Sequence, residues 1–272
     1  LYVLAFVLGI APALGMLYYI RHLDRFEPEP WSVMGRAFLA GCISTIPAIA
    51  LEYFLGDLLP VRGFLGTVYQ AFIVAAFSEE LFKGLFGYLS VRKRPEFNEV
   101  MDGVVYLGMA HMGFAVTENL LYIFMASTDI QGSLMTAMLR TTTAVPLHVI
   151  CGMIMGYHLA MARFASPTRR EKINHYWEAW VIPWVLHGFY NLAAFNQGLS
   201  VNTTGDLLRE GFGNAALYAA VAALWLFLLP RIKQAKQLSP FLPLDKLMLP
   251  AAPVRCERCH AAYPAGANYC HM

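Results

Sequence analysis

Apolar residues in this chain fall in long runs rather than in the alternating or 3.6-residue patterns of half-buried elements. A helix that crosses a bilayer needs about 20 such residues at 1.5 Å rise each. Runs of that length occupy 1–20, 33–56, 64–91, 101–126, 133–162, 177–196 and 212–230, and they predict about seven membrane-spanning helices. Pro12 does not exclude the first, because membrane helices tolerate proline. The Pro-rich stretch Glu27 to Pro30 and the Gly/Asn/Thr-rich segment 197–206 punctuate the runs as loops, and no internal repeat is visible. The fold class is an all-α polytopic membrane protein. The chain opens at Leu1 inside an apolar run and stops at Met272 inside a motif, so it reads as trimmed at both ends.

Composition agrees: 58% of the residues are hydrophobic, 14% are charged and the mean hydropathy is +0.49. A soluble globule carries about 25% charged residues. A net charge of +2 argues against nucleic-acid binding, and the placement of the charges is more informative than their sum. Thirteen basic residues flank the odd-numbered loops and the end of the last run, from Arg21 and Arg25 through Arg92 to Arg94 and Arg163 to Lys172, to Lys236. Only Arg62 and Arg209 lie on the other side. The positive-inside rule then predicts a multi-pass cell-membrane protein with its N-terminus outside and its C-terminus in the cytoplasm.

An ionisable side chain near the bilayer centre costs about 2.5–3.5 kcal/mol on insertion scales. Several are placed there: Glu79, Glu80 and Lys83 in the third run, Glu118 in the fourth, Arg140 and His148 in the fifth, His187 in the sixth. Glu79 lies 13 residues before Arg92, Glu118 lies 16 after Asp102, His148 lies 15 before Arg163, and His187 lies 15 after Lys172. At 1.5 Å per residue these depths agree to about one helical turn, so four helices deliver Glu, Glu, His and His to one layer. Glu79 and Lys83 share a face at i,i+4, as do His187 and Asn191, and Asn119 adjoins Glu118. Gly103, Gly108, Gly113, Gly152 and Gly156 would let the fourth and fifth helices pack closely around these groups.

Two hydrolytic schemes fit the set. Imidazoles and a carboxylate can hold a metal that lowers the pKa of bound water and polarises a carbonyl. Alternatively, a buried carboxylate serves as general base for water while His and Asn steady the oxyanion. Blander readings compete: a structural ion pair for Glu79-Glu80 with Lys83, helix–helix hydrogen bonding for His111 and His158, and snorkelling to the interface for Arg140. A different class, a mid-membrane proton or ion transporter, also uses such residues. The absence of a repeat and of broken helices stands against it.

The strings SEELFKG (78–84), MDGVVYLGMAHMGFAVTENLLY (101–122), RTTTAVPLH (140–148) and HGFYN (187–191) resemble the PrsW-type intramembrane proteases, and DRFEPEPW (24–31) resembles that family's first loop. More distantly they resemble the type II CAAX prenyl endopeptidases, with their EExxxR, FxxxH and HxxxN/D motifs. The resemblance spans about residues 1–230. It implies a membrane-embedded peptidase, a hydrolase generally classed as a metalloprotease, with Glu79 and Glu80 as water activators. Glu118 with Asn119, His148, and His187 with Asn191 complete the implied catalytic set, with His148 and His187 as ligands of a divalent metal, zinc by preference. It further implies a membrane-anchored protein substrate, like the anti-sigma factors that some relatives cleave. A non-catalytic scaffold of the same fold is the remaining alternative, opposed by the presence of both glutamates and both histidines. His111 departs from the family pattern, in which a small residue is usual, and reads either as an added ligand or as a packing change.

Beyond Lys236 the composition becomes Pro-rich, which divides the chain into a membrane domain at 1–236, a linker at 237–254 and a tail at 255–272. Cys256 and Cys259 form a CxxC pair and Cys270 follows, the pattern of a zinc-ribbon-like module whose fourth ligand is either His271 or, by preference, a cysteine just past the end.

Overall fold

The computed structural model describes residues 2–126, 130–195, 204–241 and the strand residues 254–255 and 262–263. Among these the chain forms nine α-helices: α1 (Tyr2–Leu23), α2 (Trp31–Leu58), α3 (Gly63–Tyr69), α4 (Ser78–Val91), α5 (Val100–Leu121), α6 (Ile130–Thr142), α7 (Ala144–Ala160), α8 (Arg169–Phe195) and α9 (Thr204–Gln237). A π-helical stretch, Gln70–Phe77, joins α3 to α4 in one rod, and shorter π turns extend α5 over Tyr122–Ala126 and α7 over Met161–Ala165. Two antiparallel two-residue strands, β1 (Val254–Arg255) and β2 (Ala262–Tyr263), bracket the segment that holds Cys256 and Cys259. Cys256, Cys259 and Cys270 themselves lie outside the described residues.

Helices α5 and α7 are apolar on every side and buried almost throughout, as all-round hydrophobic helices must be. They form the centre, with α1, α2, α4, α8 and α9 around them. Their crossing is close because Gly103 meets Gly156: a Cβ on either would strike the other's carbonyl oxygen. Gly152 likewise leaves room for the His111 ring. The outer helices present Leu39, Ile43 and Ile46 of α2 and Leu226 and Leu229 of α9 outward. Apolar side chains exposed in that number suit a hydrocarbon surround rather than water.

Among the described residues, five stretches are long and apolar enough to cross a membrane: Val3–Leu23, Trp31–Leu58, Val100–Met125, Ile130–Ala165 and Gly213–Gln237. Two of the runs read as spanning in the sequence are not among them. The rod through α4 carries Glu79, Glu80 and Lys83, and α8 carries Arg169, Arg170, Glu171, Lys172 and Glu178. The protein is thus a predominantly α-helical, multi-pass membrane protein.

The predicted fifth helix, 133–162, is interrupted once. Thr143 leaves the helical region (φ −123°, ψ −60°) and marks the start of α7 without a side-chain bond to its first turn. Pro146 in the first turn of α7 has no N–H to continue the helix from α6. The Thr143 hydroxyl bonds to the Leu139 carbonyl at 2.7 Å and to the Tyr190 hydroxyl at 2.8 Å, which ties the interruption to α8. The Thr143 N–H still bonds to the Leu139 carbonyl at 3.0 Å and the Leu147 N–H to the Thr143 carbonyl at 3.1 Å, so the interruption is a one-residue kink within the single apolar stretch Ile130–Ala165.

The first loop is anchored rather than loose. Asp24 Oδ1 accepts from the N–H groups of Phe26 (3.2 Å) and Glu27 (3.1 Å), and Glu29 accepts from the Tyr106 hydroxyl. Asp102, in the first turn of α5, reaches back to the chain before it: its Oδ2 accepts from the N–H groups of Asn98 and Glu99 at 2.7 Å each. Burial raises the carboxyl groups of this patch: Glu29 is pushed up to about 11 by desolvation and by the Asp102 carboxyl beside it, and Glu99 to about 9 by desolvation.

Candidate active site

The π stretch ends at Phe77, immediately before Ser78, Glu79 and Glu80. A π turn widens the helix locally, and such turns recur at functional sites. Here Trp184 of α8 donates from Nε1 to the Phe72 carbonyl at 2.7 Å, and Gly188 packs on the Phe72 ring. That contact holds the stretch against the helix that carries His187. Glu79, Glu80 and Lys83 then enter the core, at 4%, 1% and 0% exposure.

The two glutamates differ in what they touch. Glu80 is fully engaged: Oε1 lies 2.7 Å from Lys83 Nζ and 2.9 Å from His187 Nδ1, and Oε2 lies 3.1 Å from His111 Nε2. Glu79 takes only a longer bond from Lys83, at 3.3 Å, and its Oε2 stands 3.9 Å from His148 Nδ1 and 3.8 Å from His187 Nε2. On the far side, Glu118 Oε2 is 3.0 Å from His148 Nε2 and 2.7 Å from the Arg140 guanidinium. The imidazole rings of His148 and His187 stand edge to face with centroids 4.8 Å apart.

These contacts assign the tautomers. His187 donates from Nδ1 to Glu80 and His148 donates from Nε2 to Glu118, so the lone pairs of His187 Nε2 and His148 Nδ1 both turn towards Glu79. A carboxylate holding the outer N–H of an imidazole is how metal-binding histidines are usually oriented. Glu79, His148 and His187 offer three atoms within 4.8 Å of one another, and two histidines with one glutamate is a known catalytic zinc donor set. The charges point the same way: three carboxylates, Glu79, Glu80 and Glu118, face two fixed cations, Lys83 and Arg140. The residues fit a divalent ion, with one complication. Lys83 Nζ lies 2.8 Å from His148 Nδ1 and addresses the same lone pair.

His148, His187, Glu79, Glu80 and Glu118 thus meet in one layer. Asn191 is buried one turn beyond His187 on the same helix face. Asn119 points elsewhere: its Nδ2 donates to the Gly9 carbonyl at 3.0 Å and to Thr141 Oγ1 at 3.2 Å, tying α5 to α1 and α6. Arg140 does not snorkel outward, since its guanidinium pairs with Glu118 and lies 3.8 Å over the Tyr122 ring. His111 has both nitrogens occupied, by the Leu107 carbonyl (2.9 Å) and by Glu80, which makes it a support for Glu80 rather than a further ligand. Sequence reasoning missed Glu52 of α2, half-buried and within coulombic reach of Glu79 and Glu118. Its depth within an otherwise apolar run was the available signal.

A multi-pass helical protein with buried carboxylates converging on two oriented imidazoles is a membrane-embedded hydrolase in outline. Residues 29–228 match the description "PrsW family intramembrane metalloprotease". The chain is 31% identical over 229 residues to the Protease PrsW of Geobacillus kaustophilus, covering 84% of this chain and 90% of that one. It is 32% identical over 185 residues to the Protease PrsW of Bacillus subtilis, covering 67% and 79%. The protein of the same name from Clostridioides difficile is 31% identical over 186 residues, covering 68% and 77%. No solved structure matches the chain. The chain belongs to the PrsW family of intramembrane metalloproteases, and it is a membrane-embedded peptidase.

Proposed function

We propose that hydrolysis takes place between Glu79, His148 and His187, on a peptide bond of a membrane-anchored protein substrate. The observation that carries this reading is the orientation of the two imidazoles, each held from behind by a carboxylate so that its free lone pair faces Glu79 Oε2 at 3.8–3.9 Å. His148, His187 and Glu79 are the residues that would hold a divalent ion, zinc by donor type; when bound, it would lower the pKa of water and polarise the scissile carbonyl. Glu80 keeps His187 in its tautomer, and Glu118 does the same for His148. Without an ion, Glu79, the less engaged carboxylate, is the general base that takes the proton from water. With one, it would serve as a ligand. Arg140 neutralises Glu118, and Asn191 supplies an amide beside the site for the oxyanion.

In this reading the rod through α4 and α8 also cross the bilayer, for seven spans. The N-terminus faces outward, and the basic loops and the C-terminus face the cytoplasm. The substrate is a membrane-anchored protein of the anti-sigma-factor kind. The tail from 255 to 272, beyond the Pro-rich linker, binds zinc through Cys256, Cys259 and Cys270 as a separate module.

The test is cleavage of a membrane-anchored peptide by purified protein, with and without chelator. Glu79→Gln, His148→Ala and His187→Ala should each lose activity by more than about 100-fold while remaining folded. Chelation should abolish cleavage and zinc should restore it. Full activity in Glu79→Gln would overturn the assignment of the base, and chelator resistance would overturn the metal.

A further inference from the structure

A second cluster with ligand chemistry lies away from this centre. His158, near the end of α7, meets His175 and Glu178, which stand one turn apart on α8. The two Nδ1 atoms are 3.1 Å apart, and Glu178 Oε2 lies 3.0 Å from His158 Nδ1 and 2.8 Å from His175 Nδ1. His175 precedes His187 by 12 residues on one continuous helix, about 18 Å along the axis.

We propose that His158, His175 and Glu178 form a second metal site, which binds a first-row divalent ion of the zinc class and clamps α7 to α8. Three ligand atoms about 2.1 Å from one ion subtend edges of about 3.0 Å at octahedral angles and about 3.4 Å at the tetrahedral angles usual for zinc. The edges here, 2.8–3.1 Å, match one face of an octahedral site whose other positions water fills. Hydrogen bonding satisfies the triangle less well. Each neutral imidazole carries one proton, and if both Nδ1 atoms carry it the two N–H groups confront one another across 3.1 Å. One cation in the triangle meets all three lone pairs at once.

The surroundings suit a partly open site. His158 has 5% side-chain exposure, His175 22% and Glu178 43%, so protein closes the inner side while water can complete the coordination on the outer. The nearest cation, Arg231 of α9, is committed elsewhere. Its guanidinium donates to the Phe227 carbonyl at 2.8 Å and lies 3.6 Å over the Phe227 ring, reaching His158 Nε2 only at 3.5 Å. Because α7 carries His148 and α8 carries His187, an ion here fixes the spacing of the two helices that supply the imidazoles of the hydrolytic centre.

The test counts zinc in the full chain in detergent by equilibrium dialysis against zinc chloride, comparing wild type, His175→Ala, Glu178→Ala and the double variant His148→Ala/His187→Ala. His175→Ala and Glu178→Ala should each bind one equivalent fewer than wild type, while the double variant retains that equivalent. Zinc should raise the unfolding temperature of the double variant, and adding Glu178→Ala to that variant should remove the rise. Glu178 is the most exposed of the three, so its removal should leave the fold intact even if His175→Ala does not fold. Equal zinc content in wild type and folded Glu178→Ala would overturn the proposal, whatever the outcome at the hydrolytic centre.

Discussion

Lys83 Nζ lies 2.8 Å from His148 Nδ1, so a lysine donates to the lone pair that the hydrolytic reading assigns to a metal. The same ammonium pairs with Glu80 at 2.7 Å and with Glu79 at 3.3 Å. It therefore compensates the carboxylates and also competes for their ion. Lys83→Met removes the competitor at similar length and should tighten divalent binding at this centre by about 10-fold. It should also lower the unfolding temperature of the metal-free protein, since two buried carboxylates lose their partner. Zinc titration against a fluorescent chelator, with His148→Ala as reference, measures the first effect. An unchanged affinity in folded Lys83→Met would show that the lysine and the ion do not share a ligand.

Glu118 offers a graded test of its role behind His148. Glu118→Ala should leave His148 free to rotate and Arg140 buried without a partner, and turnover should fall by about 10–100-fold. Glu118→Gln keeps an acceptor for the His148 N–H and should recover part of that loss. If both variants lose activity to the same extent, Glu118 acts on substrate directly rather than through His148.

Much of the site was legible in the sequence because bilayer depth is a linear coordinate. Counting from the charged residues at one end of each run put Glu79, Glu118, His148 and His187 at one level, and the structure brings all four together. Side-chain direction was not legible. Asn119 shares the depth of Glu118 but projects about 100° away around α5, into the contact with α1 and α6. The π stretch before Ser78 leaves no trace in a hydrophobic pattern, because it changes hydrogen-bond register and not polarity. The kink at Thr143 was signalled only by Pro146, and proline alone does not separate a kinked membrane helix from a straight one. Helix number was harder to read for a related reason. The rod through α4 carries Glu79, Glu80 and Lys83, and α8 carries His187 and Asn191, so the polar residues that build the site also make these two helices less apolar than the five long apolar stretches.

Asn119 leads to a prediction that separates family pattern from local geometry. Its amide bridges Gly9 and Thr141, so Asn119→Ala should destabilise the junction of α1, α5 and α6 by about 1–3 kcal/mol, the cost of leaving buried partners unpaired. The unfolding temperature should fall, while turnover per folded molecule changes by less than about threefold. A loss of turnover approaching that of Glu79→Gln, with thermal stability unchanged, would place the Asn119 amide in the chemistry after all.

The buried acids at the first loop make stability depend on pH in a direction opposite to that of most carboxylates. Glu29 and Glu99 are held well above the ordinary range, at about 11 and about 9, because burial disfavours their charged forms. In the unfolded chain both ionise near the usual value of about 4.3. Between those limits the unfolded state gives up protons that the folded state keeps, so raising the pH favours unfolding. Their contribution is fully present below the unfolded value and is lost as pH rises through the folded ones. The unfolding temperature in detergent should accordingly fall from pH 6 to pH 9. Glu29→Gln retains an acceptor for the Tyr106 hydroxyl and supplies an N–H₂ donor towards Asp102, but has no proton to lose. It should flatten the pH slope and raise the midpoint at pH 9, by about 2–4 °C for each kcal/mol recovered. Glu29→Ala, which removes the hydrogen bond as well, should lower the midpoint at both pH values. A midpoint that rises with pH in the wild-type protein would mean that these carboxylates are ionised in the folded state, with a bound cation or water compensating them.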